Sequence, residues 1–238
     1  MARYSDIKIY TTGTVMISAS FTETAQKDLT TQTPIMYLFI FVLIGVLLRS
    51  YVGLFCIFVV TMLSIISAIG LFGWADKVIS TMSSTTPVII LTVVVAHSIH
   101  ILVSYYQGIR EGQEKYQAMH EALDINLQPV ILTSVSTAIG FLSLNVLADV
   151  PPIQDVGNMV TVGVLFGLIY SLTLLPALIY VLPNRVKPRP SLTVASMNRF
   201  AESVIRHRTR LLIISSVIAI VLMSLAPLNI ISDRFSKY

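Results

Sequence analysis

Six long stretches of the chain carry almost no charge, and polar or charged segments separate them. They run over 34–48, 51–72, 87–106, 129–148, 156–182 and 211–230. A helix needs ~20 residues to cross hydrocarbon, which all but the first stretch provide. The first reads as the membrane end of a helix that starts earlier, near Phe21, in polar surroundings. Residues 6–19 alternate loosely, with Ile7, Ile9, Val15 and Ile17 placed around Gly13, as a strand pair or strand–turn does. The segment 20–32 is polar, contains helix formers and lacks a breaker. Together these suggest the end of an external α/β region feeding a helix into the membrane.

Two polar segments carry their own periodicity. In 107–128, Tyr116, Met119, Leu123 and Leu127 share a helical stripe, and Met197, Phe200, Val204 and Ile205 do so in 191–208. Both read as amphipathic helices on the membrane interface. For the second, a solvated loop is an equal reading, with Pro188 and Pro190 marking a linker.

Composition agrees with the pattern. The 238 residues are 55% hydrophobic and only 12% charged, about half the charge of an average soluble domain. The expected fold class is an all-α polytopic membrane protein of six transmembrane helices, with a short external α/β remnant at the N-terminus. The bilayer is then the first partner, and the net charge of +4 has no nucleic-acid meaning. The distribution of Lys and Arg matters more. Ten lie in the turn at Arg49, the 107–128 segment and the 183–210 segment, against six elsewhere. The positive-inside rule places the ten in the cytoplasm and both termini outside. An external N-terminus without a preceding span is hard to deliver. The chain therefore reads as an internal piece of a larger protein or as a truncated gene product. The single cysteine, Cys56, sits in an apolar run and reads as a packing residue, with no disulfide or thiolate metal site implied.

Chemistry concentrates in one run, Leu91 to Val103, whose only ionisable groups are His97 and His100. Ionisable groups are costly at mid-membrane depth, which makes them functional candidates. Three residues on a 3.6-residue helix bring both imidazoles to nearly one face. Histidine's ordinary pKa of about 6.5 suits proton transfer, and Ser98 or Ser104 would assist a relay. The competing reading is that His100 bonds a hydroxyl or carbonyl on a neighbouring helix and fixes packing. Small residues recur at four-residue spacing elsewhere: Gly163, Gly167 and Ser171 in one span, Ser136 and Gly140 in another, with Thr133, Thr137 and Ser143 nearby. Such spacing lets helix backbones approach closely. Asn145 adds a polar group near the external end of its span.

An ordered series of motifs then carries a resemblance. It comprises Asp28-Leu29, Thr33-Pro34, Leu48-Arg49-Ser50, Gly70-x2-Gly73-Trp74, Ser84-Thr85-Thr86-Pro87 and Ala96-x3-His100-Ile101-Leu102. It continues with Thr133-Ser134-x2-Thr137-Ala138-Ile139-Gly140-Phe141, Ser143-Leu144, Pro151-Pro152-Ile153, Gly157 and Leu174-Leu175-Pro176-Ala177-Leu178. From about Ile9 to Ile230 the chain resembles the resistance–nodulation–division superfamily. The closest branch is the exporters related to mycobacterial large membrane proteins and to Patched-like, sterol-sensing-domain proteins.

The resemblance implies an RND-type bundle from a bacterial cytoplasmic (inner) membrane. It would divide the chain into the end of an external porter domain with a lead-in helix (1–33), a five-helix, sterol-sensing-domain-like membrane bundle (34–182), and a basic cytoplasmic linker with an amphipathic helix (183–210). The opening helix of a second repeat (211–230) and the start of a second external domain (231–238) would follow. The second repeat itself would be a partner outside this chain, and homo-oligomerisation is left open. In this branch the usual pattern resembles Ala-Asp-Ser-x-His, with the acid coupling export to proton entry. Here it reads Ala96-His97-Ser98-Ile99-His100, and no Asp or Glu falls within the six stretches.

The expected function is the membrane part of a proton-driven exporter of hydrophobic or lipid-like substrates. A sterol- or lipid-sensing regulatory domain, matching 34–182, and a non-functional truncated transporter are the alternatives. Enzymatic activity is not expected and no cofactor is implied. His97 and His100 at i,i+3 would suit a metal, but only His120 and His207 remain to complete a set, and no nucleophile elbow, Walker loop or His-Glu-x2-His motif occurs.

Overall fold

A computed structural model describes residues 13–77, 80–148, 150–183, 199 and 202–225. Among these residues every regular element is a helix. Six helical segments are long and apolar enough to cross a membrane: Ala19–Leu48, Tyr51–Trp74, Met82–Arg110, Lys115–Leu147, Pro151–Val181 and Arg208–Leu225. The chain is an all-α polytopic membrane protein.

The first segment is helical from much further upstream than Phe21. Helix α1 (Thr14–Lys27) passes through a π-helical turn, Asp28–Gln32, into α2 (Thr33–Leu48). The turn has a local cause. Pro34 lacks an N–H and cannot bond four residues back. The preceding N–H, that of Thr33, reaches five residues back to the Asp28 carbonyl. The expected strand character of residues 6–19 does not survive from Thr14 onward, where the chain is helical, and residues 1–12 lie outside the described residues. The good helix formers between Ala19 and Lys27 extend the helix upstream, because elongation is easier than nucleation.

Two residues join α2 to α3 (Tyr51–Trp74). Arg49 takes a left-handed conformation with φ 51°, and Ser50 caps α3 by accepting a hydrogen bond from Gly53 N–H at 3.2 Å. The Ser50 hydroxyl also lies 2.9 Å from the Tyr106 hydroxyl, which ties this turn to α4 (Thr86–Arg110). A 3₁₀ turn, Thr81–Thr85, leads into α4.

The 107–128 segment differs most from its sequence expectation. It is no separate interfacial helix. Helix α4 continues to Arg110, a short turn containing Gly112 (φ 91°) follows, and α5 runs unbroken from Lys115 to Leu142. Pro129 looked like a helix start but lies inside α5. At about 1.5 Å per residue, a helix of 28 residues spans about 42 Å. That exceeds a hydrocarbon core of ~30 Å, so its first, charged turns belong outside the core. Met119 is buried, whereas Tyr116 and Leu127 are exposed, so the stripe read from the sequence does not mark the packed face. Ala118, Met119, Ala122 and Asn126 do.

The return to the other side passes through a short α6 (Leu144–Leu147) into α7 (Pro151–Leu172) and α8 (Leu174–Val181). Helix α7 packs against α3, α4 and α5, and α4 packs against α3 and α5. Ile57 and Val60 of α3, Ile90, Leu91, Val94, Ile101 and Leu102 of α4, and Met159 and Leu175 from α7–α8 form a fully enclosed centre. In a bilayer such contacts replace lipid contacts, so close fit rather than release of water holds them. Hydroxyls add cross-links: Ser67 to Tyr170 at 2.9 Å, and Thr161 to the Ala138 carbonyl at 3.2 Å. Asn145 and Asn158 exchange two amide hydrogen bonds at 2.8 and 3.1 Å between α6 and α7.

The C-terminal unit, residues 189–238, is a separate compact unit. Its described helix α9 covers Arg208–Leu225. Residues 226–238 lie outside the described residues, as does most of the linker expected at 183–210, including Met197 and Phe200.

Candidate functional site

His97 lies at the α4–α5 interface and is only 4% exposed. Its Nε2 is 3.2 Å from Thr133 Oγ1, and Ser134 Oγ is 3.4 Å from both ring nitrogens. Thr133 Oγ1 also donates to the Pro129 carbonyl at 2.8 Å. A threonine hydroxyl has one proton. With that proton on Pro129, Thr133 is left to accept from His97, an arrangement that suits the Nε2–H tautomer of the ring.

His100 lies one turn further along α4 and is exposed. The two imidazoles therefore differ: one is enclosed between helices, the other opens onto the outer face of α4 with Thr92, Ala96, Val103 and Gln107. Ser98 does not join them. It is turned toward α7, where its hydroxyl lies 3.5 Å from that of Ser171, and both are fully buried. Adjacent helix positions diverge by about 100°, so Ser98 cannot share the face of His97. Ser104 is placed differently again, accepting from Asn126 Nδ2 at 2.8 Å.

The small residues divide in the same way. A Cβ at Gly163 would run into Ile90, and one at Gly167 would run into Val94, so α7 approaches α4 closely at both. Gly140 makes no such approach: a Cβ there would meet nothing within 4 Å. Ser136 is likewise exposed and turns its hydroxyl onto the Thr133 carbonyl of its own helix. The expectation that Gly140 and Ser136 pack within this bundle is therefore corrected. They lie on an open face of α5.

Asn126 is the polar residue that sequence reading missed. It is 8% exposed and donates both to Ser104 Oγ and, at 2.7 Å, to the Ala122 carbonyl. Its signal was a spacing of seven residues from Thr133, obscured by reading 107–128 as a surface segment. Among the described residues no three His, Cys, Asp or Glu side chains come together as a metal-ligand group.

Comparison with known proteins fits this arrangement. The sequence profile of the MMPL family matches residues 1–214. The chain belongs to the MMPL family. It is also 24% identical over 182 residues to a protein of Methanocaldococcus jannaschii named only as a membrane protein. That alignment covers 76% of the chain and 47% of the relative, so this MMPL chain spans about half the length of the curated relative it matches.

Proposed function

We propose that this chain is the membrane part of an RND-type exporter that uses the proton-motive force to move hydrophobic or lipid-like substrates. The observation that carries the reading is His97: an ionisable group enclosed at the α4–α5 interface and held by Thr133 and Ser134. Buried ionisable groups within spans usually mark ion or proton paths. A transporter, rather than an enzyme, needs no more chemistry than this. The exposed positions His100 on α4 and Ser136 and Gly140 on α5 suit cover by a second six-helix repeat. Coupling groups near the midplane between two repeats match a general transporter plan. In this reading the protein sits in the cytoplasmic membrane, with the α4–α5 turn in the cytoplasm and both ends of the chain outside. The test is export from vesicles under an imposed pH gradient. His97→Ala should abolish gradient-dependent export without loss of expression, and unchanged export would overturn the proposal.

A second reading is favoured by a separate feature. An apolar groove of about 670 Å³ runs between α2 and α3, lined in part by Tyr37, Phe41, Phe55 and Phe58. A sterol- or lipid-sensing membrane domain would use such a groove. The two readings part on flux: a sensor binds a photoreactive sterol or lipid there, and its response persists when the proton gradient is collapsed.

A further inference from the structure

Along α4 and its C-cap, the residues His97, His100, Ser104, Gln107 and Glu111 follow one another at spacings of three and four. At about 100° per residue they fall within roughly 80° of arc, and they climb about 21 Å along the axis. All five are polar or ionisable, in a span that is otherwise predominantly apolar. Helix α5 answers with two polar residues at matching heights. Thr133 meets His97 at 3.2 Å and Asn126 meets Ser104 at 2.8 Å, the two pairs seven residues apart on each strand of the hairpin. Near Glu111 the file opens into a cavity of about 100 Å³ lined by Ser104, Gln107, Glu111, Gln113 and Glu121, among others. It is large enough to hold water. Gln113 Nε2 is bonded to Glu121, whereas its buried Oε1 has no partner among the described residues. A buried, unpaired carbonyl oxygen beside a polar cavity calls for water.

We infer that this file is a hydrated half-path joining His97 to the aqueous side at the α4–α5 turn, with the Ser104–Asn126 pair as its narrow point and the Gln113–Glu121 cavity as its mouth. The inference rests on the proposed proton role of His97 and adds the route and its residues. Asn126 donates to Ser104 Oγ, which leaves the Ser104 O–H proton free to be passed on. A proton arriving on the Ser104 oxygen then lets its own proton leave toward cavity water, one O–H bond forming as another breaks. His100, exposed between the two pairs, is the intermediate titratable group. Glu111 and Glu121 are the carboxylates at the mouth, and Asp124 lies outside its lining.

Two measurements on the protein as the cell expresses it test the path. In a Cys56→Ser background, a charged thiosulfonate reagent applied from the α4–α5 turn side of vesicles should label Ser104→Cys. It should leave Leu102→Cys, fully enclosed at a similar height on α4, unlabelled, because the reaction needs water and a thiolate. Equal absence of label at both positions would overturn the hydrated path. Gradient-driven export should fall in Asn126→Leu and Ser104→Ala, recover in Ser104→Thr, which keeps the hydroxyl, and stay unchanged in Asp124→Asn. If Asn126→Leu and Ser104→Ala export normally while His97→Ala does not, this path is wrong and the proton role of His97 stands. If His97→Ala exports normally, the proposed function itself fails, and the path loses its proton role with it.

Discussion

Thr133 Oγ1 sits 3.2 Å from His97 Nε2 while giving its own proton to the Pro129 carbonyl. One hydroxyl thus links the buried imidazole to the carbonyl of a proline inside α5. The link predicts both a tautomer and a cost. Nitrogen NMR of histidine-labelled protein should show His97 as the Nε2–H form. Thr133→Val keeps the side-chain shape but removes the acceptor. It should perturb that signal and lower stability in detergent by about 0.6 kcal/mol, the average for interhelical hydrogen bonds in membranes. An unchanged His97 spectrum would show that the bond does not set the tautomer.

Glycine substitutions should separate packed from open faces. Gly163→Ala and Gly167→Ala drive a methyl group into Ile90 and Val94, whereas Gly140→Ala meets nothing. Overpacking a tight contact costs about 1–3 kcal/mol. The first two variants should lose thermal stability in detergent, and Gly140→Ala should match the parent or exceed it slightly through better helix propensity. Equal losses at all three positions would mean that the α4–α7 contact is not tight.

The spans were legible because bilayer thickness fixes how long an apolar run must be, and Tyr51, Pro87 and Pro151 sit at or near the helix starts. Less legible was anything that depends on which neighbour a face meets. Gly140 and Gly163 both belong to small-residue repeats, yet only Gly163 has a helix against it. Spacing states that a backbone can be approached, not that something approaches it. Pro129 misled for a related reason: proline favours a helix start but does not require one, and treating 107–128 as a surface segment hid Asn126. His97 and His100 share a stripe, yet one is enclosed and the other exposed, a difference set by α5 and not by α4.

The Asn145–Asn158 amide pair should act as a unit. Each side chain satisfies the other, so removing either leaves its partner short of a bond. A double-mutant cycle with alanine should give a coupling energy of about 0.6 kcal/mol, typical of polar pairs between membrane helices. Strict additivity of the two single changes would show that the pair makes no net contribution.

Orientation is accessible by labelling. In a Cys56→Ser background, Lys115→Cys lies at the α4–α5 turn and Lys77→Cys lies just beyond α3, at the opposite end of the bundle. The excess of Lys and Arg on the turn side predicts a cytoplasmic Lys115. An impermeant thiol reagent added to intact cells should modify Lys77→Cys and spare Lys115→Cys. The reverse pattern would invert the orientation.

His97→Asp tests the chemistry of the site most directly, because it changes the sign of the charge cycle and keeps the cycle itself. Histidine is neutral when empty and positive when protonated, whereas aspartate is negative when empty and neutral when protonated. The charged state of the site therefore moves from the loaded form to the empty one. Thr133 and Ser134 remain as hydroxyl neighbours, and they can turn to donate to a carboxylate as readily as they now accept or donate at the ring. Export driven by a pH gradient should persist or improve in His97→Asp and disappear in His97→Ala. Export driven by membrane potential alone should respond differently in wild type and His97→Asp, since different steps carry the charge. Equal export by the wild type and by the His97→Ala, His100→Ala double variant would reduce both histidines to packing residues.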